Sequence, residues 1–148
     1  MITSNNTDIN INIQKILGID CLIKNNSPSG LRLLVLNGFP FSVFEALQKE
    51  VDLSQDQLSS ILGISTRTLT RRKNRNHLNS VESNLLYRVA RVLVCAVTVF
   101  GDIEKARVWL KRPNRGLDGE IPFNLLNTDI GSQQVEDVLN RIKYGIYS

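Results

Sequence analysis

The chain is poor in the residues from which most enzymes and metal centres are built. Its 148 residues include one histidine, His77, and two cysteines, Cys21 and Cys95. His77 lies beside a cationic cluster, with no cysteine or aspartate at a known catalytic spacing, so Ser-His-Asp chemistry is not assembled. Clustered His/Cys metal ligands are excluded by count. The cysteines lack disulfide or metal spacing and read as reduced thiols, with Cys95 inside an apolar run as a core residue. A secretory leader is lacking too, since MITSNNTDININ has neither a basic start nor an apolar centre. Long hydrophobic runs are absent: the longest, Val92 to Phe100, reaches about half a bilayer span, is broken by Thr98, and predicts a buried helix. Gly116 and Gly119 have no following Lys-Ser/Thr and make a turn, not a phosphate loop. Glu136 and Asp137 are adjacent, point apart on a helix, and read as solvated charges. No enzyme, cofactor or metal site is expected.

What the chain does have is concentrated in Leu53 to Arg75, LSQDQLSSILGISTRTLTRRKNR. Ser54 with Gln57 three residues later has the spacing of a capping box, so a helix starts there with Leu58, Ile61 and Leu62 as its apolar stripe. Gly63 ends it in the left-handed conformation, and Ile64 packs back on the core. Ser65 caps a second helix whose only large apolar residue is Leu69, which leaves its polar and basic residues facing water or a partner. A short basic helix held by one leucine against another helix is the build of a helix-turn-helix recognition helix.

Charge supports that placement. The formal net charge is +4, from 18 basic and 14 acidic residues. Residues 1–50 hold four of each sign and residues 101–148 seven of each, so the excess sits in residues 51–100, with seven basic against three acidic. Arg67, Arg71, Arg72, Lys73 and Arg75 fall within nine residues that contain no acid. A charge run alone fits a solvated helix better; behind a capped turn it fits a DNA backbone, where each neutralised phosphate releases counterions. Thr66, Arg67, Thr68, Arg71, Arg72 and Lys73 are the expected DNA contacts, with Lys73 and Arg75 placed on phosphates.

The flanks read as all-α. Residues 1–26 are Asn-rich; Ile9, Ile11 and Ile13 alternate as a strand would, while Ile13, Ile16 and Leu17 continue at helical spacing, and the stretch is taken as a weakly ordered arm. Ser27, Pro28 and Gly38 bracket a helix, and a second runs from Ser42 with Val43, Phe44, Leu47 and Val51 inward. Asn79 or Ser80 caps a long helix on Leu85, Leu86, Val89, Leu93, Ala96, Val97 and Phe100, with Arg88 and Arg91 on its polar side. Past Arg91 it is apolar nearly all round, which suits either the central core helix or half of a dimer interface. Gly101 and Asp102 start another helix with Ile103, Ala106, Trp109 and Leu110 inward, stopped by Pro113. A turn-rich loop, a short helix from Ile121 to Leu126 and an amphipathic helix from Gly131 to Tyr144 complete the chain. The apolar-aromatic tail of Tyr144, Ile146 and Tyr147 either anchors another protein or closes the core.

The runs ISTRTLTRRKN and LNSVESNLLYRVARVL, then VFGD before a helix ending in Trp-Leu, a PNRGLDG loop, the IPFNLL helix and a terminal RIKYG, closely resemble the Xre/MbcA/ParS-type antitoxins of toxin–antitoxin pairs whose toxin is a RES-domain protein. The resemblance covers about residues 30–148. It implies an all-helical, cytoplasmic, homodimeric protein that binds the operator of its own operon. It implies also that the C-terminal segment binds a RES-domain toxin, an NAD consumer, and blocks the mouth of its NAD pocket. On this chain that segment carries Val138, Arg141, Ile142, Lys143, Tyr144, Gly145, Ile146 and Tyr147. The expected organisation is thus an arm (1–26), a helix-turn-helix domain (27–100) and a small helical toxin-binding domain (101–148). The alternative is a plain helix-turn-helix repressor whose C-terminal domain only dimerises.

Overall fold

The computed structural model describes residues 12–19 and 28–145, and among these the chain is helical with no strand. In order come α1 (12–17), α2 (Pro28–Asn37), α3 (Ser42–Val51), α4 (Gln55–Leu62), α5 (Thr66–Arg75), α6 (Ser80–Phe100), α7 (Ile103–Leu110) and α8 (Asp129–Lys143). Two 3₁₀ turns, Arg115–Leu117 and Pro122–Leu125, lie between α7 and α8. The all-α expectation holds, with a helix-turn-helix followed by a small helical region.

Helix boundaries follow from local capping chemistry. The Ser54 hydroxyl accepts the Gln57 N–H at 3.1 Å while the Gln57 side chain accepts the Ser54 N–H at 2.8 Å, so the predicted capping box of α4 is complete. Gly63 ends α4 at φ 68°, and the turn delivers Ser65 to the N-cap of α5. Asn79 rather than Ser80 caps α6, in a second capping box with Glu82. The last helix begins two residues before the predicted Gly131, at Asp129, because the Thr128 hydroxyl accepts the Gly131 N–H at 2.9 Å and Asp129 suits the positive end of the helix dipole.

Five helices pack on α6. Leu86, Val89, Ala90, Val92, Leu93 and Ala96 are all fully buried, and α2, α3, α4, α7 and α8 each lie against it. Past Arg91, Val92, Leu93, Val94 and Ala96 are thus core residues of the single chain, while Cys95, Val97, Val99 and Phe100 are half-buried. By length and composition α6 could cross a membrane, with 44% of its apolar window buried against these neighbours.

Residues 12–19 correct the expectation of a loose arm. They form a helix and turn whose Ile13, Leu17 and Ile19 are at most 1% exposed. Helical spacing wins over strand alternation here because it puts Ile13 and Leu17 on one face, against a core that offers no sheet edge to pair with. Residues 1–11 and 20–27, including Cys21 and the Ser27 cap, lie outside the described residues.

The halves are joined by polar ties as well as by α6. Two cations of the α7 region reach the C-terminal end of α3: Arg107 Nε donates to the Glu50 carbonyl and Lys111 Nζ to the Asp52 carbonyl, both at 2.7 Å. Carbonyls at a helix end lack intrahelical donors, and cations there are doubly favourable. Arg88 donates to Asp129 and to the Leu126 carbonyl, and Arg91 Nε meets Glu136 at 2.8 Å. Glu136 is therefore not the solvated charge expected from its neighbour spacing; it turns inward onto α6.

Candidate functional site

The turn between α4 and α5 does what the sequence asks of it. Ile64 is buried, Ser65 accepts the Thr68 N–H at 3.1 Å, and Leu69 is 1% exposed. Leu69 fixes which side of α5 faces the protein. Thr66, Arg67, Thr70, Arg71, Lys73, Asn74 and Arg75 are exposed, whereas Thr68 and Arg72 are half-buried beside Leu69. Among the described residues, no carboxylate lies within ion-pairing reach of Arg67, Arg71, Lys73 or Arg75. A helix face carrying unpaired cations, with short hydroxyl and amide side chains between them, suits phosphates and base edges.

Two members of that face were not among the expected contacts. Thr70 and Asn74 project with Arg67 and Arg71, one helical turn apart. The signal was available in the sequence: once Leu69 is taken as inward, 3.6-residue periodicity places Thr70 and Asn74 outward. Arg72 departs in the other direction. Its Nε donates to Glu82 Oε1 at 2.8 Å, with the two side chains only 17% and 9% exposed.

The corner behind α5 is tied to the start of α3. Asn76, left-handed at φ 51°, ends the helix and its side chain accepts the Phe41 N–H at 3.1 Å. The Leu78 N–H donates to the Phe39 carbonyl at 2.9 Å, and the Phe39 N–H to the Ser83 hydroxyl at 2.8 Å. Gly38 makes this possible: at φ 95° a Cβ would lie 2.0 Å from the Leu78 carbonyl oxygen. His77 is exposed at this corner.

The second surface is the end of α8. Val135 and Leu139 are buried and Ile142 half-buried. Val138, grouped with the tail as a toxin contact, is a core residue, 9% exposed and packed over Gly116. Its i, i+3, i+4 relation to Val135 and Ile142 puts it on the inward stripe. Arg141, Lys143, Tyr144 and Gly145 are exposed, Tyr144 at 68%, with Lys143 Nζ 5.6 Å from its ring centroid. Ile146 and Tyr147 lie outside the described residues.

Little else offers chemistry. Cys95 is half-buried, and burial, then the nearby Glu136 charge, push its thiol above the usual range, which disfavours a reactive thiolate. Among the described residues no group of three His, Cys, Asp or Glu side chains could hold a metal ion. An apolar groove of about 590 Å³ runs between α2 and the start of α6, with Leu31, Val35, Leu36, Val81 and Tyr87 in its walls.

Comparison with known proteins divides the chain along these lines. Residues 31–91 match the antitoxin Xre-like helix-turn-helix domain, and residues 95–145 the antitoxin Xre/MbcA/ParS C-terminal toxin-binding domain. Over 84% of this chain and 85% of its own length, a curated protein of Photorhabdus laumondii named antitoxin Xre is 32% identical. A Yersinia enterocolitica protein of the same name is 32% identical over 75% of this chain and 76% of its own. One from Pseudomonas putida is 39% identical over 55% of this chain and 52% of its own.

Proposed function

Because the chain belongs to the Xre antitoxin family, with a helix-turn-helix domain followed by a toxin-binding domain, we propose that it is a cytoplasmic homodimer that neutralises a RES-domain, NAD-consuming toxin and represses its own operon. The observation that carries the toxin half is the distribution of charge on α8. Its apolar stripe and Glu136 are engaged inside the protein, and Asp129 pairs with Arg88; Asp137 is exposed on the outer side, while Arg141, Lys143 and Tyr144 are exposed at the end, with Lys143 over the Tyr144 ring. That free end, continued by residues 146–148, sits at the mouth of the toxin's NAD pocket. An exposed tyrosine beside two cations is the composition of an interface anchor.

The DNA half rests on α5. Arg67 and Arg71, with Thr66, Thr70 and Asn74, face the major groove, and Lys73 and Arg75 meet phosphates. A dimer follows from this mode of binding, since a two-fold protein reads two half-sites one helical turn apart.

Co-expression with the neighbouring toxin gene tests the whole reading: growth is restored by the full chain and lost when Lys143 to Ser148 are deleted. The same truncated protein keeps its affinity for promoter DNA within about twofold, since α5 and its supports are untouched. Growth restored by the truncated chain would remove the tail from the mechanism.

A further inference from the structure

Among the cations of α5, Arg72 alone among the described residues is matched by a carboxylate, and the match is unusually constrained. Glu82 Oε1 takes both the Arg72 Nε–H at 2.8 Å and the backbone N–H of Asn79 at 3.0 Å, while the Glu82 N–H donates to Asn79 Oδ1 at 2.8 Å. The carboxylate is therefore locked in place by the capping box that begins α6. Through it, Arg72 locks α5 to the same point.

We propose that Arg72 is a positioning residue, not a DNA contact: with Glu82 it fixes the rotation of α5 about its own axis, and so the direction in which Arg67, Thr70, Arg71 and Asn74 face. The inference rests on the reading of α5 as the DNA-binding helix. Leu69 is the only buried residue of α5. A helix held at one apolar point is free to roll about it, and Arg72 supplies a second fixed point three residues on, off the axis of the first. Asn76, bonded to the Phe41 N–H, supplies a third at the helix end.

Electrostatics points the same way. An arginine cancelled by a carboxylate at contact distance presents no net charge to a phosphate and displaces few counterions. Moving it onto DNA would leave Glu82, whose side chain is 9% exposed, without its cation. A charge left unpaired at that burial is costly, so the pair stays closed when DNA binds.

Affinity of the full chain for fluorescently labelled duplex from its own promoter, followed as a function of salt, tests this. Lys73→Ala loses a phosphate-contacting cation and lowers the slope of log K against log salt by about 1. Arg72→Ala and Glu82→Gln each weaken binding roughly tenfold at every salt concentration and keep the parental slope. Combining them costs no more than one alone, because the two side chains act as a unit. Arg72→Gln, which keeps a donor for Glu82 but no charge, falls between parent and Arg72→Ala, again with the slope unchanged.

Thermal melts of every variant, with affinities measured well below each midpoint, hold the folded fraction constant. Glu82→Gln keeps an acceptor for Asn79 and carries the decision if Arg72→Ala does not fold. A slope lowered by Arg72→Gln as much as by Lys73→Ala makes Arg72 a contact and overturns the proposal. So does tighter, more salt-dependent binding by Glu82→Gln, the signature of Arg72 released to a phosphate. If the parent binds promoter DNA without salt dependence, the DNA reading itself fails and the positioning role falls with it; parental binding with a normal slope separates the two failures.

Discussion

Helices α5 and α8 are both cationic at their ends and both dock on the rest of the chain through α6 or its first turn, yet they are held in opposite ways. Helix α5 is secured by one leucine, one ion pair and its Asn76 cap, and it turns Arg67, Arg71, Lys73 and Arg75 outward with no carboxylate partner among the described residues. Helix α8 buries Val135, Val138 and Leu139 and spends Asp129 and Glu136 on the arginines of α6; its outer side is exposed along its length, and its cations, Arg141 and Lys143, are confined to the last turn. The first presents cations along its whole outer face. On the second they are gathered at the tip. Where the cations lie, and not how much of the helix is exposed, thus separates the two surfaces.

The contrast is sharpest in stability. Leu69→Ala removes the sole apolar anchor of α5 and should cost about 2–5 kcal/mol, whereas Ile142→Ala, half-buried beside other α8 anchors, should cost less than half as much. Urea unfolding of the two variants reads the difference directly. Equal losses would mean that α5 is held by more than the contacts described.

Next comes DNA affinity. Arg71→Ala should weaken promoter binding by about 1–3 kcal/mol while leaving toxin neutralisation intact. Titration of labelled duplex and a co-expression growth assay measure the two arms. Loss of neutralisation by Arg71→Ala would place toxin contacts on α5 and dissolve the division between the helices.

Why one helix was legible in the sequence and the other only partly so has a physical cause. The α4–α5 turn is specified by neighbours three or four residues apart, Ser54 with Gln57, Gly63, and Ser65 with Thr68, so a linear reading recovers it. The stripe of α8 was equally clear, and the family resemblance supplied what the free tip is for. Long-range pairing was not legible. Nothing near Glu136 in the sequence points to Arg91, nothing near Arg72 points to Glu82 as its partner rather than to a phosphate, and α7's cations gave no hint of the α3 carbonyls they cover. Residues 12–17 failed for a related reason: their two competing periodicities are separated only by the core they meet.

A smaller effect isolates the α6–α8 tie. Arg88 is 13% exposed and donates to the Leu126 carbonyl at 3.2 Å and to Asp129 at 2.5 Å, but Asp129 is 91% exposed. Screening leaves little in the ion pair itself, so the cost of Arg88→Ala comes mainly from the carbonyl and should be about 1 kcal/mol. Asp129→Asn should be nearly silent in the same melts. If the two cost the same, the charge pair and not the carbonyl is what holds the start of α8.

The finest distinction concerns Glu136, because here the two helices differ in what a buried carboxylate does. Burial raises the Glu136 pKa above the ordinary glutamate value, an effect that Arg91 opposes without cancelling and Asp137 reinforces. The folded protein therefore holds this proton to higher pH than the unfolded chain. Stability falls as pH rises through the interval between those two pKa values, starting from about 4.3, and stays lower above it. Glu136→Gln keeps an amide oxygen for Arg91 and removes the titration. Its melting temperature at pH 7 should equal or slightly exceed the parent's, and the parent should lose ground to it as pH rises from the unfolded-state pKa to the raised folded-state one. A variant that is less stable at pH 7, with the gap widening as pH rises, would mean that the Arg91 pair outweighs burial, and that α8, like α5, is held to α6 by a net-favourable charge.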